Sequence, residues 1–214
     1  MKFLFLAGSI FISCISYSQS ITPDGPSYGF IVWDKSFYEG SAFVIKNKRL
    51  VVTCAHCISK DHTMYYASGG LKTPDIIMHK LKIIKFLPKY DLALLESDED
   101  LCNRPFEVEN KFNITNQQHM FYIGYSTKKS DDSHKVMQAN NLQVSSYGKT
   151  FESGAPVDFI EFVGVGVPGY SGGPVINDSG KIVALMREAW LKKSIRGGDS
   201  LLVNRAYSII PLLK

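Results

Sequence analysis

Short apolar segments, separated by polar or glycine-containing breaks, occupy most of this 214-residue chain and constrain its fold more than any other feature. They are rich in Val, Ile, Phe and Tyr, the residue types that favour strands. The predicted strands are Tyr28–Trp33, Ser41–Ile45, Leu50–Thr53, Asp75–Met78, Leu81–Phe86, Leu92–Glu96, Met120–Gly124, Lys135–Leu142, Thr150–Glu152, Asp158–Val163, Pro174–Ile176, Ile182–Met186 and Ser200–Asn204. The pattern therefore predicts an all-β protein, either a sandwich or a barrel.

Helical periodicity is scarce in the sequence. It is limited to a turn around His56 and a short segment from Tyr207 to Leu213 that Pro211 interrupts. Between two apolar runs, residues 177–180 read Asn-Asp-Ser-Gly, which is typical of a hairpin turn. A polar stretch from Glu107 to Gln118 separates two similar halves, and this break near residue 110 indicates two barrels.

Composition narrows the classes of partner. The chain has 24 basic and 20 acidic residues, a formal net charge of +4, and 45% hydrophobic residues. This composition is typical of a globular protein with a sizeable core. Because the charges are dispersed and form no long basic block, we do not expect nucleic acid to be a partner.

The N-terminus has the pattern of an export signal. Lys2 precedes an apolar run from Phe3 to Ile15, and small and polar residues follow it, so we predict a signal peptide over residues 1–18 with cleavage after Ser18 or Ser20. The run is shorter than the roughly 20 residues that span a bilayer, so we expect a secreted or periplasmic protein without a membrane span. An alternative is a lipid anchor at Cys14, because residues 11–14 loosely resemble a lipoprotein box.

After signal removal the chain retains Cys54, Cys57 and Cys102, too few for a disulfide framework. The spacing of Cys54 and Cys57 would suit a redox or metal site, but no second cysteine pair accompanies them. We expect them to be small buried hydrophobes, and we leave open whether Cys102 pairs with either.

Three separated segments carry the chemistry of this chain. Residues 52–57 read Val-Thr-Cys-Ala-His-Cys, residues 90–95 read Tyr-Asp-Leu-Ala-Leu-Leu, and residues 168–174 read Pro-Gly-Tyr-Ser-Gly-Gly-Pro. A serine hydroxyl becomes a useful nucleophile when an imidazole removes its proton, and a carboxylate can hold that imidazole in the required tautomer. His56, Asp91 and Ser171 are therefore the candidate base, carboxylate and nucleophile.

In order and spacing, these segments resemble the signatures of the trypsin-like serine proteases of the chymotrypsin fold. The resemblance covers the chain from about Gly29 to Pro211. It implies two six-stranded antiparallel β-barrels with the active site between them and a short C-terminal helix. The corresponding domains are 19–110, which contains His56 and Asp91, and 111–214, which contains Ser171.

Two departures from the animal digestive enzymes refine this resemblance. Tyr170 stands where those enzymes have an aspartate that binds a new N-terminus, and Cys57 lacks the usual upstream partner near Gly40. In both respects the chain looks more like the bacterial high-temperature-requirement proteases and the glutamyl endopeptidases. The implied activity is a serine endopeptidase acting on peptides or proteins without a cofactor or metal.

The resemblance also suggests an oxyanion hole and a substrate pocket. The backbone amides of Gly169 and Ser171 are the expected oxyanion donors, because glycines permit the turn that such donors require. The expected pocket residues are Val165, Gly166, Val167, Met186, Arg187 and Glu188. They predict a small or medium apolar side chain at the first substrate position. Arg187 could instead favour an acidic residue there, or it could be solvated or paired with a carboxylate.

Two further expectations complete the sequence-based predictions. The remaining histidines lie in polar surroundings without ligand-like spacing, so we expect them at the surface: His62, His79, His119 and His134. A catalytically silent protein with the same fold that binds peptides is the alternative function. Because His56, Asp91 and Ser171 are all present, the sequence favours an active enzyme over a silent peptide-binding protein.

Overall fold

The computed structural model describes residues 27–35, 37–68, 77–116, 118–125, 136–152, 154–163, 169–192 and 201–214. The predicted signal peptide, Cys14 and the pocket residues 165–167 lie outside the described residues. Among the described residues, no helix combines the length and apolar character needed to cross a bilayer.

The first barrel closes through six antiparallel strands. They are β1 (Tyr28–Trp33), β2 (Phe37–Ile45), β3 (Leu50–Cys54), β4 (Met64–Ser68), β5 (Ile77–Leu87) and β6 (Leu92–Ser97). Their order around the barrel is β1-β2-β3-β6-β5-β4, and β4 pairs with β1 to complete it. Closure leaves the sheet without an exposed edge.

The second barrel is also closed and antiparallel. Its strands are β7 (His119–Tyr125), β8 (Val136–Glu152), β9 (Ala155–Val163), β10 (Pro174–Asn177), β11 (Ile182–Lys192) and β12 (Leu201–Ser208). Their order is β10-β11-β12-β9-β8-β7, and a short helix α1 (Ile210–Leu213) follows β12. The predicted all-β class with two six-stranded barrels is therefore confirmed.

An apolar cluster joins the two barrels and holds the segments of the site in place. From the first barrel it includes the buried side chains of Phe43, Ile45, Val52, Cys54, Cys57 and Leu92. From the second barrel and the C-terminus it includes Ile123, Ile176, Ile182, Leu185, Ile209 and Leu212. Because this shared core removes apolar surface of both barrels from water, it stabilises their mutual position.

Individual elements differ from the sequence prediction mainly in length. The described parts of the segments predicted separately as Asp75–Met78 and Leu81–Phe86 belong to the single strand β5, and those of Lys135–Leu142 and Thr150–Glu152 belong to β8. Asp75, Ile76 and Lys135 lie outside the described residues. The strand β4 was not predicted. The C-terminal helix begins at Ile210 rather than Tyr207, because Tyr207 still pairs with Leu185 and Pro211 fits only the first turn of a helix.

The predicted hairpin turn connects β10 and β11. The side-chain oxygen of Asn177 accepts hydrogen bonds from the amides of Ser179 and Lys181, and Gly180 has φ +77°. These bonds replace the ladder bonds that are lost where the chain reverses.

Candidate active site

The candidate base, His56, lies on a single 3₁₀ turn, Ala55–Cys57, directly after β3. The turn buries Ala55 and Cys57 on either side, whereas 48% of the His56 side chain is exposed. The amide of Ala55 donates to the carbonyl of Asp91 at 3.1 Å. The apolar neighbours therefore fix the turn, and the imidazole between them is partly exposed to solvent.

Asp91 lies at the end of a second 3₁₀ turn, Pro88–Tyr90, immediately before β6. Its backbone is left-handed, with φ 52° and ψ 42°, a conformation that aspartate tolerates better than most residues. Only 8% of the residue is exposed. The sequence prediction that Asp91 begins an apolar strand agrees with this placement.

The Asp91 carboxylate accepts two hydrogen bonds from His56. Oδ2 lies 2.8 Å from His56 Nδ1, and Oδ1 accepts the His56 backbone amide at 3.0 Å. An ionised carboxylate can only accept, so the proton of a neutral His56 is placed on Nδ1. The other ring nitrogen, Nε2, is then left with the lone pair that a general base requires.

The surroundings shift the pKa values of both groups. Burial opposes ionisation of Asp91, but the hydrogen bond and the charge of His56 outweigh it and hold the pKa of Asp91 below its usual 3.8. The hydrogen bond that His56 donates to Asp91, and then one involving Cys57, raises the pKa of His56 above its usual 6.5. The pair is therefore built to stabilise an imidazolium beside a carboxylate.

The Ser171 loop is held by its backbone against both barrels. The carbonyl of Ser171 accepts the amide of Ser41 at 2.8 Å, and the amide of Gly172 donates to the carbonyl of Met186 at 2.7 Å. The thiol of Cys57 also contacts the Ser171 carbonyl, at 3.9 Å. These contacts bring Ser171 next to the turn that carries His56.

The hydroxyl of Ser171 points to β11. It donates to the backbone carbonyl of Arg187 at 2.8 Å. Among the described residues, the hydrogen bonds of His56 and Ser171 do not include one between the imidazole and this hydroxyl. The structure thus joins His56 to Asp91 by side-chain contact, whereas the hydroxyl of Ser171 is bonded to the backbone of Arg187.

Arg187 is the main component of this site that the sequence left open. Its Nε donates to Asp91 Oδ2 at 2.9 Å, and one of its terminal nitrogens donates to Glu188 at 3.1 Å and to the Tyr207 hydroxyl at 3.0 Å. Burial alone would lower the pKa of Arg187, but these partners raise it. Of the sequence alternatives, pairing with a carboxylate is the one observed, and the carboxylates are those of Asp91 and Glu188.

The expected oxyanion donors lie in a turn that the first barrel supports. Gly169 has φ +96°, and its carbonyl accepts the hydroxyl of Ser41 at 2.8 Å. That hydroxyl also accepts the amide of Tyr125 at 2.8 Å. Sequence reasoning missed Ser41, since a serine within a strand carries no signal that distinguishes it. The assignment of the Gly169 and Ser171 amides as donors stays a prediction.

The expected pocket residues of β11 have defined positions. Met186 is buried in the core of the second barrel, and its carbonyl holds Gly172, so its side chain does not face the cleft. Glu188 contacts both Arg187 and Arg205. The Glu188 carboxylate is therefore paired with one guanidinium of β11 and one of β12.

The three cysteines that the structure describes are free thiols. Cys54, Cys57 and Cys102 are all buried and unpaired by disulfides, as expected for small core residues. Ligand atoms of Cys54, His56 and Asp91 lie within 4.8 Å of one another, a spacing that could hold a metal ion. Both carboxylate oxygens of Asp91 already accept hydrogen bonds, and the Arg187 cation lies on one of them. This donor set suits proton transfer better than cation binding.

The other described histidines lie away from the site. His62 stacks on Trp33 and contacts Asp34 Oδ2 at 2.6 Å, and His119 is exposed. His79 is more buried than expected, with 14% of its side chain exposed, and it contacts Glu99 at 2.9 Å. His134 lies outside the described residues.

Comparisons with solved structures identify similar folds. The chain is similar to the MamO protease domain of Magnetospirillum magneticum, with a TM-score of 0.60 and 18% identity over 84% of this chain and 90% of that one. It is similar to the HtrA-type protease AlgW solved with a decapeptide, with a TM-score of 0.67 and 17% identity over 93% of this chain and 66% of that one. It is also similar to Deg5, with a TM-score of 0.64 and 20% identity over 88% and 86% of the two chains. At these identities the likeness shows the fold.

Sequence comparison identifies the family. No curated protein matches the chain in sequence. The trypsin-like peptidase domain, however, matches residues 40–185, more than half of the chain and a range that contains all three candidate residues. The chain therefore belongs to the trypsin-like peptidase domain family.

Proposed function

We propose that this protein is a serine endopeptidase that cleaves peptide bonds with Ser171, His56 and Asp91. The observation that carries the proposal is the double hydrogen bond between Asp91 and His56, which leaves Nε2 of a neutral imidazole as the base beside the Ser171 loop. Membership of a peptidase family supports the same reaction class. The substrate is therefore a peptide or a protein.

The proposed reaction uses each group in turn. His56 removes the proton of the Ser171 hydroxyl as its oxygen attacks the carbonyl carbon of the substrate, and Asp91 stabilises the resulting imidazolium. The imidazolium then donates its proton to the leaving amine, which breaks the peptide bond and leaves an acyl-enzyme that water hydrolyses. The Gly169 and Ser171 amides would hold the oxyanion.

One side-chain rotation is needed to begin this sequence. Ser171 Oγ must leave the carbonyl of Arg187 and turn toward His56. The change is a rotation about a single side-chain bond between staggered positions, which costs little compared with a backbone rearrangement. In structures without substrate, catalytic hydrogen bonds often form only after binding.

Labelling with a fluorophosphonate tests the proposal directly, because such reagents phosphonylate serines that an imidazole activates. We expect stoichiometric labelling of the mature protein at Ser171, located by peptide mass. The variants Ser171→Ala and His56→Ala should lose it, while Ser145→Ala, which changes an exposed serine of the second barrel, should keep it. A folded protein that is not labelled at any pH would contradict the proposal.

A peptide-binding protein without catalysis is the second candidate. The observation that favours it is the Ser171 hydroxyl, which is bonded to Arg187 rather than to His56. This candidate predicts that peptides bind in the cleft and are recovered intact. Digestion of a peptide library, analysed by mass, separates the candidates. It also tests whether the first substrate position is a small or medium apolar residue, as the sequence suggests.

Export is part of the proposal and depends on residues 1–18. Cleavage after Ser18 or Ser20 would release a soluble secreted or periplasmic enzyme. Attachment of lipid to Cys14 would anchor it instead. The intact mass of the mature protein distinguishes these outcomes, because each leaves a different first residue or an added acyl mass.

A further inference from the structure

A β-bulge places Arg187 at the centre of the candidate site. On β11, Met186 pairs with Ala206 and Glu188 pairs with Arg205, so the register shifts between them and Arg187 is the extra residue. A bulged residue has no partner in the ladder, and its backbone and side chain can be turned away from the sheet. Both the backbone carbonyl and the side chain of Arg187 are directed at the candidate site.

The backbone and the side chain of Arg187 contact different members of the candidate triad. Its carbonyl accepts the hydroxyl of Ser171 at 2.8 Å, and its Nε donates to Asp91 Oδ2 at 2.9 Å. Asp91 belongs to the first barrel and Ser171 to the second. One residue therefore links the two halves of the site.

The guanidinium of Arg187 is held from several sides. Glu188 accepts one hydrogen bond, the Tyr207 hydroxyl forms another, and the Tyr207 ring lies 4.9 Å from the guanidinium carbon. Only 23% of the side chain is exposed. Because a planar guanidinium with several fixed donors loses little further freedom, it can fix the carboxylate that it binds.

The charge of Arg187 bears directly on His56. Both Arg187 Nε and His56 Nδ1 lie within hydrogen-bond distance of the same oxygen, Asp91 Oδ2. A permanent cation at this distance opposes the protonation of the imidazole, while it keeps the carboxylate ionised. The other titratable groups that face His56 are Cys57 of its own turn and Cys54 at the end of β3, whose sulfur lies within 4.8 Å of the imidazole.

We propose that Arg187 is a positioning residue of the site: its guanidinium fixes the Asp91 carboxylate, and its charge sets the pH range in which His56 is neutral and able to accept a proton. This inference rests on the proposed peptidase function for its catalytic meaning. The physical link between Arg187 and His56 does not depend on that function.

The test compares the pH dependence of His56 in variants that remove or retain the charge. Arg187→Met and Arg187→Gln both remove the charge, the second with a side chain that can still donate a hydrogen bond, and Arg187→Lys retains it. Two readouts are measured from pH 4 to 12: the NMR titration of the His56 ring and the rate of fluorophosphonate labelling at Ser171.

Loss of the cation should raise the midpoint of the His56 titration by about one pH unit in both neutral variants. Since His56 must be neutral to act as base, the acid limb of the labelling profile should move upward by the same amount. At a pH below both midpoints the labelling rate should fall about tenfold, and part of it should return at higher pH. In Arg187→Lys, the midpoint of the His56 titration should stay close to that of the unmodified protein.

Controls separate this role from a structural one. Lys82→Met removes a cation that is exposed on β5 and paired with Asp98, and it should leave the midpoint unchanged. A merely structural Arg187 would lower the labelling rate equally at every pH. An unchanged His56 midpoint in a folded neutral variant would overturn the inference and leave the peptidase proposal intact. Absence of labelling in the unmodified protein would reject the peptidase proposal, while the ring titration would still test Arg187.

Discussion

The hydroxyl of Ser41 donates a 2.8 Å hydrogen bond to the carbonyl of Gly169, two residues before the candidate nucleophile. The same hydroxyl accepts the amide of Tyr125, and the Ser41 backbone amide binds the carbonyl of Ser171. Two bonds from one buried residue of the first barrel thus hold the Ser171 loop of the second, and a third links that residue to β7.

Ser41→Ala should weaken this support. It removes one hydrogen bond from the buried amide of Tyr125 and one from the carbonyl of Gly169, and we expect a loss of about 1–3 kcal/mol in the free energy of unfolding. We also expect slower labelling at Ser171, because Gly169 loses the bond that fixes its carbonyl. Denaturant unfolding and labelling rate measure the two effects. Ser145→Ala, which removes a single bond to the Glu161 carbonyl, is the control and should leave the labelling rate unchanged.

Gly172→Ala should damage the site through both backbone and packing. Gly172 has φ +88°, and a Cβ there would lie 2.1 Å from the carbonyl oxygen of Ser41 and 2.4 Å from Thr53 Oγ1. The strained backbone of alanine at this φ lowers the free energy of unfolding by about 1–2 kcal/mol. The overlap of the added Cβ with Ser41 and Thr53 either lowers it by about a further 1–3 kcal/mol or displaces the Ser171 loop. We expect lower stability and strongly reduced labelling of Ser171.

Gly180→Ala isolates the backbone part of that effect. Gly180 has a similar φ of +77°, but a Cβ there would meet nothing within 4 Å. In this variant the free energy of unfolding should fall by only about 1–2 kcal/mol, and the rate of labelling at Ser171 should be unchanged. Equal stability and equal labelling in the two variants would refute the packing argument.

The sequence predicted much of the fold because strand periodicity and turn chemistry are local properties. Residues 177–180 specify their turn by themselves, and the three motif segments resemble a known family closely enough to imply two barrels. The strand β4 was missed because Met64–Ser68 is short and follows a polar segment without a clear boundary. Its pairing with both β1 and β5 supplies the stability that local propensity does not.

The sequence could not predict the contacts that tertiary structure creates at the site. Arg187 stands 96 residues from Asp91, and its direction depends on a bulge between two strands. Ser41 is 128 residues from Gly169. Neither residue has a neighbouring pattern that would indicate its partner. The rotamer of Ser171 likewise depends on the Arg187 carbonyl, which no motif specifies.

Asp91→Asn should remove a pH-dependent part of the stability. The pKa of Asp91 is below 3.8 in the folded protein, despite its burial, because His56 and Arg187 hydrogen bond to its carboxylate. Its ionised form therefore stabilises the fold fully above pH 3.8, and this stabilisation is lost as the pH falls through the lowered pKa. The difference in free energy of unfolding between the two proteins should shrink from about pH 5 to pH 2.

Denaturant titrations at several pH values measure that difference. Asp98→Asn is the control, since Asp98 also has a lowered pKa through Lys82 but is fully exposed, where such pairs contribute little. A difference between Asp91→Asn and the unmodified protein that stays constant over this pH range would show that Asp91 has no such role.

Arg205→Met should destabilise the second barrel by removing the cation that pairs with the buried Glu161 carboxylate, which also accepts the hydroxyl of Ser146 at 2.9 Å. Arg205 forms an ion pair with Glu161, which is 5% exposed, and its guanidinium lies between the rings of Phe159 and Trp190. Removing one member of a buried pair costs about 3–5 kcal/mol, whereas replacing both with apolar residues is often neutral. The double variant Arg205→Met with Glu161→Met should therefore recover most of the loss in a double-mutant cycle.

The exposed pair of Lys82 and Asp98 shows why burial decides the size of this effect. Their side chains are 63% and 79% exposed, so water solvates either charge when the other is removed. Lys82→Met should change the free energy of unfolding by less than about 1 kcal/mol. If Arg205→Met cost no more than Lys82→Met, the Glu161 carboxylate would have to be solvated or protonated in the variant. Adding Glu161→Gln to the Arg205→Met variant distinguishes these two cases. If Glu161 is protonated in that variant, the added change should leave the free energy of unfolding the same at every pH. If it is ionised and solvated, the added change should alter that free energy.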